Sequence, residues 1–126
     1  MSENREGRLT FLGYGLMLIG ITGGLVGLYL TSENNYLLFH TLVELASVVV
    51  AGSVFVVFWN TRRFVTNKYF LFIAVAWLFV AVLDLVHAFA YEGMTIISDE
   101  TPNTATQLWI AARYLQAVSL LVSPLF

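Results

Sequence analysis

The sequence predicts an all-α fold, an integral membrane bundle of four transmembrane helices with a cytoplasmic N-terminus. Three observations carry this. Of the 126 residues, 59% are hydrophobic and only 11% charged, against roughly 45–50% and about 25% in a soluble domain. A soluble chain this short leaves much of its surface in water and needs charge to cover it. Six Lys/Arg and eight Asp/Glu are too few, so the surplus apolar surface is expected to meet lipid. Second, the apolar residues gather into four runs, each close to the roughly 20 residues that cross about 30 Å of hydrocarbon as a helix. Third, the basic residues alternate from one connection to the next.

The first run covers 11–30. It follows Arg5 and Arg8, as a signal peptide would, but it exceeds the usual apolar core of about 7–15 residues and has no small-residue cleavage site. It reads as a retained helix. Gly20/Gly24 and Gly23/Gly27 form small-xxx-small pairs that let backbones approach. They are expected to pack inside the bundle, with a homodimer seam as the alternative. The second run spans 36–59 and the third 69–90, and the fourth runs from 105 to 126. Polar segments at 31–35, 60–68 and 91–104 separate them, and the last contains Ser98-Asp99-Glu100-Thr101-Pro102-Asn103, rich in turn formers. Tyr36, Trp59, Tyr69 and Tyr91 fall near the run ends, where amphipathic rings favour the lipid–water boundary. The chain closes on the still apolar Ser123-Pro124-Leu125-Phe126, from which a longer helical domain is expected to continue.

Arg5 and Arg8 precede the first run, and Arg62, Arg63 and Lys68 lie between the second and third. The other two connections carry no Lys or Arg. Positive residues stay on the cytoplasmic side, so the connections at 31–35 and 91–104 are expected outside. Several function classes drop out at this stage. No basic patch interleaved with aromatics supports nucleic-acid binding. The lack of cysteine excludes disulfides and thiolate sites, and no phosphate loop or hydrolase motif is present.

Five ionisable residues sit inside the apolar runs: His40, Glu44, Asp84, His87 and Arg113. Each costs about 2.5–3.5 kcal/mol at a span centre on insertion scales, so partners are expected. At 1.5 Å per residue, His40 and Glu44 lie roughly 6 and 12 Å below the outer boundary, His87 and Asp84 roughly 5 and 9 Å, and Arg113 roughly 12 Å. His40 and Glu44, four apart, share a face with Tyr36 and Ser47. Asp84 and His87, three apart, share one with Tyr91 and Trp77. Trp109, Arg113 and Gln116 form a stripe on the fourth helix. The expectation is one polar cluster in the outer half, with Tyr36, Trp109 and Gln116 in support.

Three readings of that cluster stay open on the residues alone. It is a buried ion-pair network, in which Arg113 neutralises Glu44 or Asp84. Or it is a metal or haem site, with His40, Glu44, Asp84 and His87 as candidate ligands. Or it responds to protons or a small ligand, because a histidine beside a carboxylate titrates near neutral pH.

Longer segments carry a family resemblance. Phe39-His40-Thr41-Leu42-Val43-Glu44, Trp59-Asn60 followed by Arg62-Arg63-Phe64, Asp84-Leu85-Val86-His87, Gly93-Met94, and Asn103-Thr104-Ala105-Thr106-Gln107-Leu108-Trp109-Ile110-Ala111-Ala112-Arg113-Tyr114 resemble the type-three membrane-associated sensor domain of bacterial signalling proteins. The resemblance implies a multi-pass sensory input domain in the bacterial inner membrane. It further implies a C-terminal cytoplasmic output domain of histidine kinase or diguanylate cyclase type, and it places the five ionisable residues at family motif positions. It also implies that this chain is the N-terminal part of such a domain, and that any enzyme activity resides in the output module. Two competing functions remain at this level: a proton-coupled or metal-ion transporter, and a haem- or metal-binding redox protein. Against transport, 45–52 below Glu44 contains no ionisable residue to continue a path.

Overall fold

The computed structural model describes residues 3–94, 96–97 and 103–125, with side chains from residue 10 onward. The described residues form α1 (Glu3–Asn34), α2 (Tyr36–Thr61), α3 (Lys68–Ala90), α4 (Asn103–Val122) and a short 3-10 turn, Ser123–Leu125. No strand occurs among them. Four helices are long and apolar enough to cross a membrane. Large apolar side chains such as Phe11, Val49, Phe79 and Leu121 lie exposed on all four, which is the surface a lipid solvent requires. The predicted turn at 98–102 and the side chains of Arg5 and Arg8 lie outside the described residues.

The chain divides into two compact units, 1–39 and 40–126. In the first, the expected polar connection at 31–35 shrinks to Asn35, because α1 continues through Asn34. The polar side chains that suggested a loop bond back onto their own helix. Thr31 Oγ1 donates to Gly27 O (2.8 Å) and Ser32 Oγ to Tyr29 O (2.7 Å). Asn34 Nδ2 donates to Leu30 O (2.7 Å), which covers another carbonyl of the last turn. Asn35 then caps α2, its Oδ1 accepting from Leu38 N at 3.0 Å. Within this unit taken by itself, a Cβ added at Gly20, Gly23, Gly24 or Gly27 meets no atom within 4 Å. The α1 glycines therefore answer no close approach inside their own unit.

In the second unit α2 runs to Thr61, two residues beyond the expected end at Trp59. Asn60 and Thr61 bond to the carbonyls of Val56 and Val57, and the Arg62 guanidinium lies over the Trp59 ring at 4.4 Å. Asn67 caps α3 by accepting from Tyr69 N at 2.9 Å. The Phe58 and Phe70 rings stack at 5.0 Å, joining α2 to α3 near this end. The fourth run was expected to remain helical to 126, but α4 ends at Val122. Pro124 has no N–H to offer Leu120 O, and Ser123 Oγ bonds to that carbonyl instead, at 2.8 Å.

α3 and α4 form the tightest pair, their Cα atoms approaching within 8 Å. Their buried faces explain this. Ala74, Ala81 and Ala88 recur every seven residues on α3, and Ala105, Ala112 and Ser119 do so on α4; all six are buried. A seven-residue spacing keeps one narrow stripe facing its partner. With nothing larger than a methyl or hydroxymethyl on the stripe, the backbones come close and dispersion contacts accumulate, the main adhesive available between helices in lipid.

Candidate functional site

The polar site sits where α2 meets the α3–α4 pair, in two layers one turn apart. The lower layer is an ion pair. Asp84 is completely buried, and Arg113 Nη2 donates to its Oδ1 at 2.6 Å and its Oδ2 at 2.5 Å. Ser47 Oγ, from α2, donates to Oδ2 at 3.3 Å. Three helices thus contribute to one carboxylate. Of the two partners the sequence left open for Arg113, the geometry selects Asp84.

The upper layer comprises His40, Glu44 and His87. Glu44 Oε1 lies 3.9 Å from His40 Nε2 and 3.8 Å from His87 Nε2. Both distances are too long for a hydrogen bond, and the three ligand-type atoms all fall within 4.8 Å of one another. His87 is fixed from behind, with its Nδ1 2.7 Å from Ala105 O at the start of α4. A carbonyl carries no proton, so Nδ1 is the donor, and in the neutral ring Nε2 keeps its lone pair aimed at Glu44. The ring of Tyr91 stacks on His40 at 3.6 Å and 20°.

Tyr91 is held by the turn that follows α3. Met94 N donates to Tyr91 O at 3.0 Å, and Gly93, at the third position of that turn, has φ 96°. This is the position at which a type II turn demands positive φ, hence glycine. Met94 then accepts from Thr41 Oγ1 at 3.5 Å, so this sulfur closes the turn onto α2. Gly93→Ala puts a Cβ on a left-handed backbone, which costs about 1–2 kcal/mol. Thermal unfolding in detergent should show that loss. Unchanged unfolding would mean the turn bears no load.

Of the residues expected in support, Gln116 shares a cleft of about 310 Å3 with Ser47, Trp77, Val80 and Arg113. Trp77 Nε1 and Arg113 Nε are buried donors without a hydrogen-bond partner among the described residues. Trp109 lines a surface groove together with Arg113 and Tyr114 and is 45% exposed. Tyr36 belongs to the first unit, where its ring tilts against Phe39 at 6.0 Å, and is 58% exposed. The candidate ligand set also contracts. Asp84, proposed beside His40, Glu44 and His87, has both oxygens engaged by Arg113, and the convergent group is the other three. The Ala105 carbonyl and the Gly93 turn were not legible as site components, the first because a backbone atom leaves no mark in a residue pattern.

Neither curated proteins nor solved structures give a match in comparison with this chain. The family profile of MASE3, a membrane-associated sensor domain, matches residues 31–126. That stretch holds α2, α3 and α4 with every residue of both polar layers, so this chain is a membrane protein and belongs to the MASE3 membrane-associated sensor domain family.

Proposed function

We propose that this chain is the sensory input of a bacterial inner-membrane signalling protein, reading its cue at the two-layered cluster of His40, Glu44, Asp84, His87 and Arg113. The output would be a C-terminal cytoplasmic module of histidine kinase or diguanylate cyclase type, and any catalysis would belong to that module. The N-terminus would be cytoplasmic, which sets the cluster beneath the outer face. One observation supports this reading above the others. α3 and α4 are bound to each other by a small-residue seam and an ion pair, whereas α2 meets them at this level through side chains alone: Glu44 toward His87, Ser47 to Asp84, His40 on Tyr91.

A cue that changes the upper layer would therefore alter how α2 is held while α3 and α4 remain paired. A ligand shifts an equilibrium only by its difference in affinity for the two states, and Glu44, on α2, would be the group whose contacts differ between them. A change in α2 packing is a mechanical signal that an attached module can read.

In the full-length protein, the His40→Ala/His87→Ala double variant is expected to hold output at one level. Wild type, across the same external conditions, should vary severalfold in autophosphorylation or cyclic di-GMP synthesis. A double variant that tracks wild type would remove the cluster from signalling.

A further inference from the structure

We infer that His40 Nε2, His87 Nε2 and Glu44 Oε1 form a binding site for a divalent transition-metal ion of the zinc class. This deepens the sensor reading by naming its cue, and as the cue it rests on that reading. The geometry of the three donors stands by itself.

Four features point to an ion. The first is separation. Ligand atoms held about 2.0–2.1 Å from a tetrahedral zinc lie about 3.4 Å apart. The two imidazole nitrogens stand 3.9 and 3.8 Å from the carboxylate oxygen, and all three ligand atoms lie within 4.8 Å of one another, so closing onto an ion needs side-chain shifts of about an ångström or less. A pair bound directly to each other would instead sit near 2.8 Å. The second is the tautomer. A ligating imidazole characteristically donates its other N–H to a carbonyl or carboxylate, which orients the ring and raises its basicity. His87 does this through Nδ1 to Ala105 O. The third is support for the other ring: Tyr91 stacked at 3.6 Å fixes the plane of His40. The fourth is charge. Asp84 is already neutralised by Arg113, so Glu44 is the acid left facing two imidazoles, and a cation there offsets its burial.

The donor set selects the metal. Two imidazoles and one carboxylate suit zinc, iron(II) and their neighbours; calcium and magnesium take oxygen ligands, and copper(I) prefers sulfur. Haem fits poorly. Two axial imidazoles need a flat disc between them, and the Glu44 carboxylate lies beside both nitrogens where that disc would pass. Three protein ligands leave a position for water or solute, as in exchangeable rather than purely structural zinc sites.

The test uses the purified full-length protein in detergent. Zinc is measured by elemental analysis after equilibrium dialysis, and cobalt(II), a spectroscopic stand-in, by its visible ligand-field bands. The expected result is one ion per protomer with four- or five-coordinate cobalt bands. Glu44→Gln and His87→Ala should each weaken binding by more than about 100-fold, beyond the about 10–100-fold that follows loss of an outer hydrogen-bond partner. Glu44→Gln is nearly isosteric, and circular dichroism checks that it keeps its helices. A folded wild type that binds neither ion overturns the site, as does binding that both variants retain in full. The sensor reading is separated by assaying output with zinc added or chelated. Binding at these residues with no change in output would overturn zinc as the cue. Cluster-dependent output without zinc binding would overturn the metal and leave the sensor standing.

Discussion

Arg113→Ala is expected to destabilise the folded chain by about 3–5 kcal/mol, the cost of leaving one member of a buried ion pair uncompensated. The asymmetry of the pair sets the direction. The Asp84 side chain is 0% exposed and that of Arg113 35%, so truncating the arginine strands a carboxylate with no water to turn to, and the weak Ser47 hydroxyl as its remaining donor. Replacing both residues by apolar groups removes the stranded charge together with its partner. The double variant Asp84→Leu/Arg113→Leu should therefore recover much of the loss, because apolar replacement of a whole pair is often neutral or stabilising. Reversible unfolding in mixed micelles would measure all three. A single variant as stable as wild type would show that Asp84 is neutralised by some other group.

Ala112→Leu is expected to cost about 1–3 kcal/mol through overpacking. Ala112 is 0% exposed on the stripe where α4 meets α3. Three extra carbons there crowd the facing helix, and the helices must separate to admit them. Because Arg113 is the next residue, separation also pulls its guanidinium from Asp84, and the two losses should couple rather than add. The same substitution at Ala111, which is exposed, should change stability by no more than about 0.5 kcal/mol. Equal effects at 111 and 112 would refute the small-residue seam.

The ionisable half of the site was legible in the sequence because a charge inside an apolar run has to be explained. His40 with Glu44, and Asp84 with His87, declared their shared faces by spacings of four and three, and Arg113 declared a need for an acid at its depth. The choice between Glu44 and Asp84 was not legible. It depends on which turn of α3 faces α4, and that is set by Ala74, Ala81 and Ala88 against Ala105, Ala112 and Ser119. Alanine in a membrane span is indistinguishable from filler until its partner is known. The α1 glycines are conspicuous in the sequence, while the close approach of α3 and α4 is built from the less conspicuous alanine. The polarity of 31–35 suggests a loop, but threonine, serine and asparagine can return their hydrogen bonds to the helix that carries them.

The Asp84–Arg113 pair also bears on how this chain enters the bilayer. α4 is the least apolar of the four spans, and an arginine near its middle adds about 2.5–3.5 kcal/mol against integration. α3 emerges from the ribosome first and brings a buried aspartate to the same level. Lying against the third span, the fourth has its counter-ion at hand, and pairing offsets part of that cost. The contact that holds the buried pair together is thus also the one that makes a charged span tolerable in lipid.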